Sequence, residues 1–587
     1  MNKHLNIYNL IAAFIILASG LLMFSSAQQE SATYDEAGRI AGGYSIVKFQ
    51  DGRLWWETPL VKTLSAIPLL IIQPNFSRHP TIWSALPDMW LMGGHFFYKL
   101  GNDPEIMLTL ARTAPIIITI ILLSCIYWWS KKIMGAGWAL LALVLLAFSP
   151  TILAHGHYVV NDVPGTLGVL ITIIAYTYYL NNPTTKNLAL SGLALGIAEI
   201  SKISNLLLLP YLALITGIYV YLNGHKNWLQ YFLRLGTIFG IAYLLVYLAY
   251  FTSILNYSTS DQIKATEFIY RNHRSALIKN GLGFLSHYRI TQPIVIYTSE
   301  ALLIRSVVAS GFETYFLGNV YSKGHWYYFP IIYALKEPVP AVALSVTAVI
   351  ILALSFLKTT KAGPRKLLSA LLLAMKNNFA IAAVLIFIVL YWGMSMSGNL
   401  NMGVRHLIPT LPLIYMVAIF LIKQWRPEYG KLKISALSLL AALQIGSTLN
   451  AYPFFISYFN FLGNGTMLGY KIAVDSHYDW GQDLKRLRSW IEKLGAEEKV
   501  AVNYFGGGNP KLYLKDYLGE KTEYWNIHGP LPEKTTWLAI SATTKSTIDG
   551  KNLTEATYGK YVTDPNIPDA RIGTSIFLYR ASGELLN

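Results

Sequence analysis

A single cysteine, Cys125, stands in 587 residues, inside the apolar run "IIITIILLSCIYWW". No internal disulfide is therefore possible, the redox compartment goes unreported, and the thiol reads as an inert buried side chain. Charge is equally scarce. Asp, Glu, Lys and Arg make up 13% of the chain against 53% hydrophobic residues, and the mean hydropathy is +0.40. A soluble domain could not bury that much apolar surface, and several apolar runs reach the roughly 20 residues needed to cross a bilayer. The chain reads as a mainly α, polytopic membrane protein.

Apolar spans are expected near 7–27, 107–129, 133–149, 164–180, 187–201, 204–222, 231–251, 338–357, 378–395, 406–422 and 434–461, about eleven helices, the last broken around Pro453. The first, "IYNLIAAFIILASGLLMFSS", exceeds a signal-peptide core and is followed by a poor cleavage site, so it reads as a retained signal anchor. With the N-terminus on the cytoplasmic side, the inner loops collect Lys131, Lys132, Lys186, Lys226, Lys358, Lys361, Arg365, Lys366, Lys376, Lys423, Arg426, Lys431 and Lys433, as positive-inside topology requires. Much of the +16 net charge is thereby explained, and a nucleic-acid reading is unnecessary.

The same bookkeeping places loops 28–106, 150–163, 252–337 and 396–405, the junction at Lys202, and the tail on the outer face. Loops 28–106 and 252–337 carry amphipathic, aromatic pieces too short or interrupted to span, which fit an interfacial or re-entrant placement. The boundary is set at 1–467 for the membrane domain and 468–587 for a small external α/β domain. In the latter, "WGQDLKRLRSWIEKLG" aligns Leu484, Leu487, Ile491 and Leu494 on one helix face, and "KVAVNYFG", "TWLAISA" and "SIFLYR" read as strands. "FGGGNP" follows a strand without opening a dinucleotide-binding helix and reads as a turn. Asp475, Asp479 and Asp483, spaced by four, allow a Ca²⁺ reading, with solvated capping acids as the commoner alternative. The sequons at Asn75, Asn256, Asn464 and Asn552 occur often by chance and do not define a compartment.

Polar groups crowd the outer face. Asp35 and Glu36 follow the first span, where a carboxylate can deprotonate a hydroxyl; Asp162 stands at a helix mouth after His155, His157 and Asn161. Lys62, Arg112, Lys202, Arg405 and His406 lie near outer helix ends, where low dielectric strengthens contacts to a phosphate, although snorkelling explains such cations equally well singly. His155 and His157 without a third partner make an incomplete zinc set. A carboxylate base with a cationic clamp describes a transfer reaction with a phosphate leaving group. A polytopic transporter or flippase of lipid-linked sugars would also hold intramembrane charge, but no inverted repeat is visible and the charges sit at one face, not the midplane.

The stretch "YDEAGRIAGGYSIVKFQDGRLWWETPLVKTLSAIPL" resembles the first external loop of GT-C membrane glycosyltransferases related to the protein O-mannosyltransferases (glycosyltransferase family 39). "ARTAPIII", "HGHYVVNDVPGTL", "GLALGIAEISKISNLLLLP", "YFLGNVYSKGHWYYFPIIYALKEPVPAVAL", "NLNMGVRHLIPTLPLIY" and "DSHYDWGQDLKRLRSWI" continue the resemblance in order. Typical members carry Asp-Glu-Pro and a His-Pro-Pro segment where this chain has Asp35-Glu36-Ala37-Gly38-Arg39 and Glu57-Thr58-Pro59. The resemblance implies a GT-C-like fold. It implies transfer of a hexosyl, mannosyl or aminopentosyl group from a polyprenyl-phosphate donor to a hydroxyl on protein, lipid or glycan, with inversion, on the outer side of the plasma membrane. Asp35 would be the general base, Glu36 a positioning group and Asp162 a sugar or acceptor contact. Lys62, Arg112, Lys202, Arg405 and His406 would receive the carrier phosphate, with neither catalytic metal nor other cofactor.

Overall fold

The computed structural model describes residues 7–54, 57–360, 364–425, 427–508, 510–514 and 519–582. Lys361 and Arg426, counted above among the inner cations, lie outside them. Ten helices among the described residues are long and apolar enough to cross a membrane: Ile7–Ala27, Pro104–Met134, Asp162–Asn181, Ile203–Asn223, Trp228–Ser253, Gln292–Ser310, Val339–Thr360, Phe379–Ser397, Val404–Gln424 and Gly430–Ala451. The chain is a multi-pass, mainly α membrane protein with a small sheet at its C-terminal end.

Two expected spans are shorter than a bilayer. Ala136–Ala147 stops where Ser149 caps the short helix Pro150–His155, accepting from the Ile152 N–H, and Thr185–Ser201 ends where Lys202 turns extended. Both lie largely inside the bundle, where other protein groups can satisfy the freed backbone. The last span ends at Ala451, ahead of Pro453. Residues 452–460 form no helix, and Phe455 and Ile456 are buried.

Gln292–Ser310 was not anticipated, and its ends explain how it sits. At its start, Arg289 donates to the carbonyls of Ile254 and Tyr257, just past helix Trp228–Ser253. At its end, Asn399, in the loop leading to Arg405, donates to the carbonyls of Val308 and Ala309. Loop 252–261 is itself tied to loop 28–106 through Asn256 N to Gln50 O and the Arg53–Asp261 ion pair. Both ends therefore belong to one face of the bundle, and the helix runs along that face despite its apolar length.

The tail builds a five-stranded mixed sheet. With β1 (Thr314–Phe316) and β2 (Asn319–Tyr321) forming a separate hairpin, its strands are β3 (Val500–Asn503), β4 (Thr522–Tyr524), β5 (Trp537–Ser541), β6 (Ala570–Ile572) and β7 (Ile576–Arg580), in the order β4-β3-β5-β7-β6. β3 is parallel to β4 and β5, whereas β7 is antiparallel to β5 and β6. β3 and β5 are buried along their whole length, as strands covered on both faces must be. Helix Leu484–Ile491 covers one face with Leu484, Leu487 and Ile491. Ala501, Leu538, Ile540 and Phe577 on the other face join the core continuous with the membrane bundle. The three anticipated strands are β3, β5 and β7; the three-residue edge strands β4 and β6 were too short to announce themselves.

Candidate active site

The first turn of helix Glu36–Phe49 separates two adjacent acids by which way each points. Glu36 is fully buried and accepts five hydrogen bonds, from Arg112 Nε (2.9 Å) and Nη2 (2.6 Å), Val159 N (3.0 Å), Thr33 N (2.9 Å) and Thr33 Oγ1 (3.0 Å). Burial alone would raise its carboxyl, but the Arg112 guanidinium and the two backbone N–H groups hold it below the usual carboxylate range. Arg112 spends its remaining N–H groups on the carbonyls of Ala27 (2.8 Å), Glu30 (3.2 Å) and Ser31 (3.0 Å). The expected phosphate contact is not open to Arg112 here. It and Glu36 lock the first span to the loop that presents Asp35.

His155 and His157 do not converge. His157 pairs through Nε2 with Glu30 (3.0 Å), which Tyr158 also reaches (2.8 Å), while Nδ1 engages Leu153 O (2.7 Å). His155 instead packs its ring 5.9 Å from Trp480.

Asp35 stands at the N-cap position of the same helix without a side-chain capping bond, and remains partly exposed. Arg39, one turn on, meets it at 3.0 Å and binds Glu57 through both Nε and Nη2. Trp90 Nε1 lies 3.4 Å from Asp35. Glu57, with left-handed backbone (φ 70°), is 30% exposed and also accepts from Asn161 Nδ2 (3.3 Å). Such a φ is unusual for a non-glycine residue and needs support from its surroundings. Pro59 begins helix Pro59–Ala66 immediately after, and from its first turns Lys62 reaches back to the carbonyls of Leu54 (3.1 Å) and Glu57 (2.8 Å). Burial pushes the Lys62 ammonium down to about 8. Lys62 thus secures the Glu57 loop. The two helices meet at Gly43, where a β-carbon would fall 1.8 Å from the Lys62 carbonyl oxygen.

Asp162 opens helix Asp162–Asn181 and pairs with Lys202 Nζ at 2.6 Å. Arg405, His155 and His406 also lie near enough to Asp162 to act on its carboxylate. Arg405 lies two residues after Gly403, which turns the chain with φ 111°, in the first turn of the 3₁₀ segment Val404–Thr410. Its Nε donates to Met402 O (3.2 Å), and its guanidinium carbon lies 4.6 Å from the centre of the Trp480 ring. Among the described residues, no carboxylate stands within ion-pairing distance of Arg405. His406 Nε2 and His155 Nδ1 are buried without a hydrogen-bond partner.

The tail enters the site as well. Asp475, at φ 61°, has its carboxyl raised above the usual range by burial, opposed by Arg405, with Asp35 adding to the rise. Asp479 and Asp483, read above as solvated, are buried: Asp479 accepts from Thr543 N (2.9 Å), and Asp483 from Thr574 N (3.0 Å) and Ser575 N (2.9 Å). They tie the segment to the sheet. A cleft of about 430 Å³ between the start of helix Glu36–Phe49 and the tail is lined by Tyr34, Gly38, Trp90, Gly507, Lys511 and Tyr524; Asp35 is not among its lining residues.

Sequence reasoning missed Glu57, Arg39 as its partner, Asp475 and Trp480. Glu57 was visible only as an acid in "WWETP", a position that no spacing rule connects to Arg39 or Asn161.

Residues 90–250 match the family model described as dolichyl-phosphate-mannose-protein mannosyltransferase. Among solved structures, ArnT from Cupriavidus metallidurans in the apo state aligns at 11% identity and a TM-score of 0.45, covering 99% of this chain and 100% of that one. The same enzyme bound to undecaprenyl phosphate aligns at 12% identity and a TM-score of 0.43, covering 98% of each chain. The archaeal oligosaccharyltransferase AglB from Archaeoglobus fulgidus, in complex with an inhibitory peptide and a dolichol-phosphate, aligns at 10% identity and a TM-score of 0.45, covering 94% of this chain and 72% of that one. No curated protein matches. The GT-C resemblance of the motifs thus meets a family match over residues 90–250, the stretch containing Arg112, Asp162 and Lys202, and there the chain is similar to dolichyl-phosphate-mannose-protein mannosyltransferases.

Proposed function

We propose that this protein transfers a sugar from a polyprenyl-phosphate carrier to a hydroxyl acceptor on the non-cytoplasmic side of the plasma membrane, with inversion at the anomeric carbon. One observation carries the reading. A partly exposed carboxylate, Asp35, and a cation without an ion-pair partner among the described residues, Arg405, are joined through Trp480, whose ring carries the Arg405 guanidinium and whose carbonyl accepts from Tyr34 N beside Asp35.

In the proposed step the acceptor oxygen attacks the anomeric carbon as the bond from that carbon to the phosphate oxygen breaks. Asp35 takes the hydroxyl proton, and the carrier leaves as a phosphate monoester. Arg405 neutralises the charge developing on that phosphate, in a site whose low dielectric makes the contact count. His406 and His155, each with a buried ring nitrogen lacking a partner, can donate to the sugar or phosphate. Lys202 joins the clamp only when Asp162 turns towards the sugar. A cationic clamp suffices for such a leaving group, so the reading requires no catalytic metal and no cofactor.

The test is transfer in vitro from a radiolabelled polyprenyl-phosphate sugar into membranes, followed by identification of the labelled molecule. Label in protein, lipid or glycan supports the reading and names the acceptor. Movement of intact donor across the bilayer without transfer replaces it with a flippase.

A further inference from the structure

We propose that residues 475–484 of the tail form one wall of the donor site, and that Trp480 is a positioning residue that aims Arg405 at the carrier phosphate. The inference rests on the reading of Arg405 as the phosphate cation. Among the described residues Arg405 is held by hydrogen bonding at one nitrogen, Nε on Met402 O, and the face of the Trp480 ring restrains the rest of the guanidinium. An arginine without that platform would spread over many rotamers and lose entropy on meeting a phosphate; stacking on an indole makes that selection beforehand. Trp480 is itself 2% exposed and packed against His155 and Tyr158.

The neighbours of Trp480 brace both sides of the site. Towards the cation, Ser476 Oγ donates to Met402 O (3.2 Å), the carbonyl that also holds Arg405. His477 Nδ1 receives Val404 N (3.4 Å), and its Nε2 lies 2.6 Å from the Tyr328 hydroxyl. Towards the base, Tyr34 N donates to Trp480 O (2.9 Å), Ser31 N to Gln482 O (3.0 Å) and Ser31 Oγ to Gly481 O (2.8 Å). One ten-residue stretch thus joins the loop of Arg405 to the loop of Asp35. The tail completes the site rather than being attached beside it.

The experiment uses the full chain in detergent, with farnesyl phosphate as the probe for the phosphate subsite and transfer kinetics as the second readout. Arg405→Ala should weaken farnesyl phosphate binding at least about tenfold, and Trp480→Leu by about tenfold, the scale of a desolvated cation–π contact. Trp480→Phe should recover most of the loss. In the Arg405→Ala background, Trp480→Leu should add nothing, and the KM for the acceptor should stay at its wild-type value. Wild-type binding by Trp480→Leu, or an equal loss in both backgrounds, overturns the inference. If Trp480→Leu does not accumulate, Trp480→Phe carries the same comparison, with a loss of about threefold expected in the Arg405 background and none in the Arg405→Ala background. Wild-type binding by Arg405→Ala instead removes the donor-phosphate reading itself.

Discussion

Asp162 Oδ1 and Lys202 Nζ stand 2.6 Å apart, one in the first turn of its helix and the other at the end of the next, where a β-carbon on Gly165 would fall 2.7 Å from that of Lys202. Removing one partner leaves the other charge buried, at a cost of about 3–5 kcal/mol, whereas removing both costs far less. Asp162→Asn and Lys202→Met should each lower the melting temperature in detergent, and the double variant should melt above either single one. Additive losses would show that the pair does not act as a unit.

Arg405 has no carboxylate within ion-pairing distance among the described residues. Arg405→Ala should lower kcat/KM for the polyprenyl-phosphate donor by a factor corresponding to about 2–4 kcal/mol of transition-state stabilisation, with unchanged melting. Wild-type turnover would reassign Arg405 to anchoring the helix end.

Asp35→Asn keeps the shape of the side chain but removes the proton acceptor. General-base catalysis supplies roughly 10²–10⁴-fold, so transfer should fall at least about a hundredfold while farnesyl phosphate binding persists. Near-normal transfer would move the search for the base to Glu57 or Asp162.

Glu36→Gln should behave as a folding lesion, despite its place beside Asp35. The substitution leaves the Arg112 guanidinium buried without its counter-charge, a loss of about 3–5 kcal/mol. Reduced accumulation and early thermal unfolding are the expected results; a stably folded variant with impaired transfer would instead make Glu36 part of the chemistry.

The positive-inside assignment places loop 28–106 and the tail together on the outside. With Cys125 replaced by alanine, single cysteines at Ser84 and Thr563, both exposed, should react with an impermeant maleimide from outside. One at Ser369 should react only after permeabilisation. Ser31 is unsuitable for this purpose, because its hydroxyl is buried against Gly481. Protection at Ser84 or Thr563 in intact cells would overturn the topology.

The sequence by itself determined the class and the frame. Length and apolarity of the spans, the Lys and Arg bias of alternate loops, and the alternating and continuous runs of the tail are local properties, and local properties survive in one dimension. Hence the Asp35-Glu36 pair, Asp162 and Arg405 could be named before any fold was seen. What each charged group does was decided only by tertiary structure, because a charge in a low-dielectric interior is defined by what lies within a few ångströms. Arg112 finds Glu36 76 positions away, Lys202 finds Asp162 40 positions away, and Arg405 stacks on a tryptophan from the tail. The helix Gln292–Ser310 makes the same point on a larger scale: its composition permits a membrane crossing, and only the anchoring of both its ends on one face shows that it runs along that face.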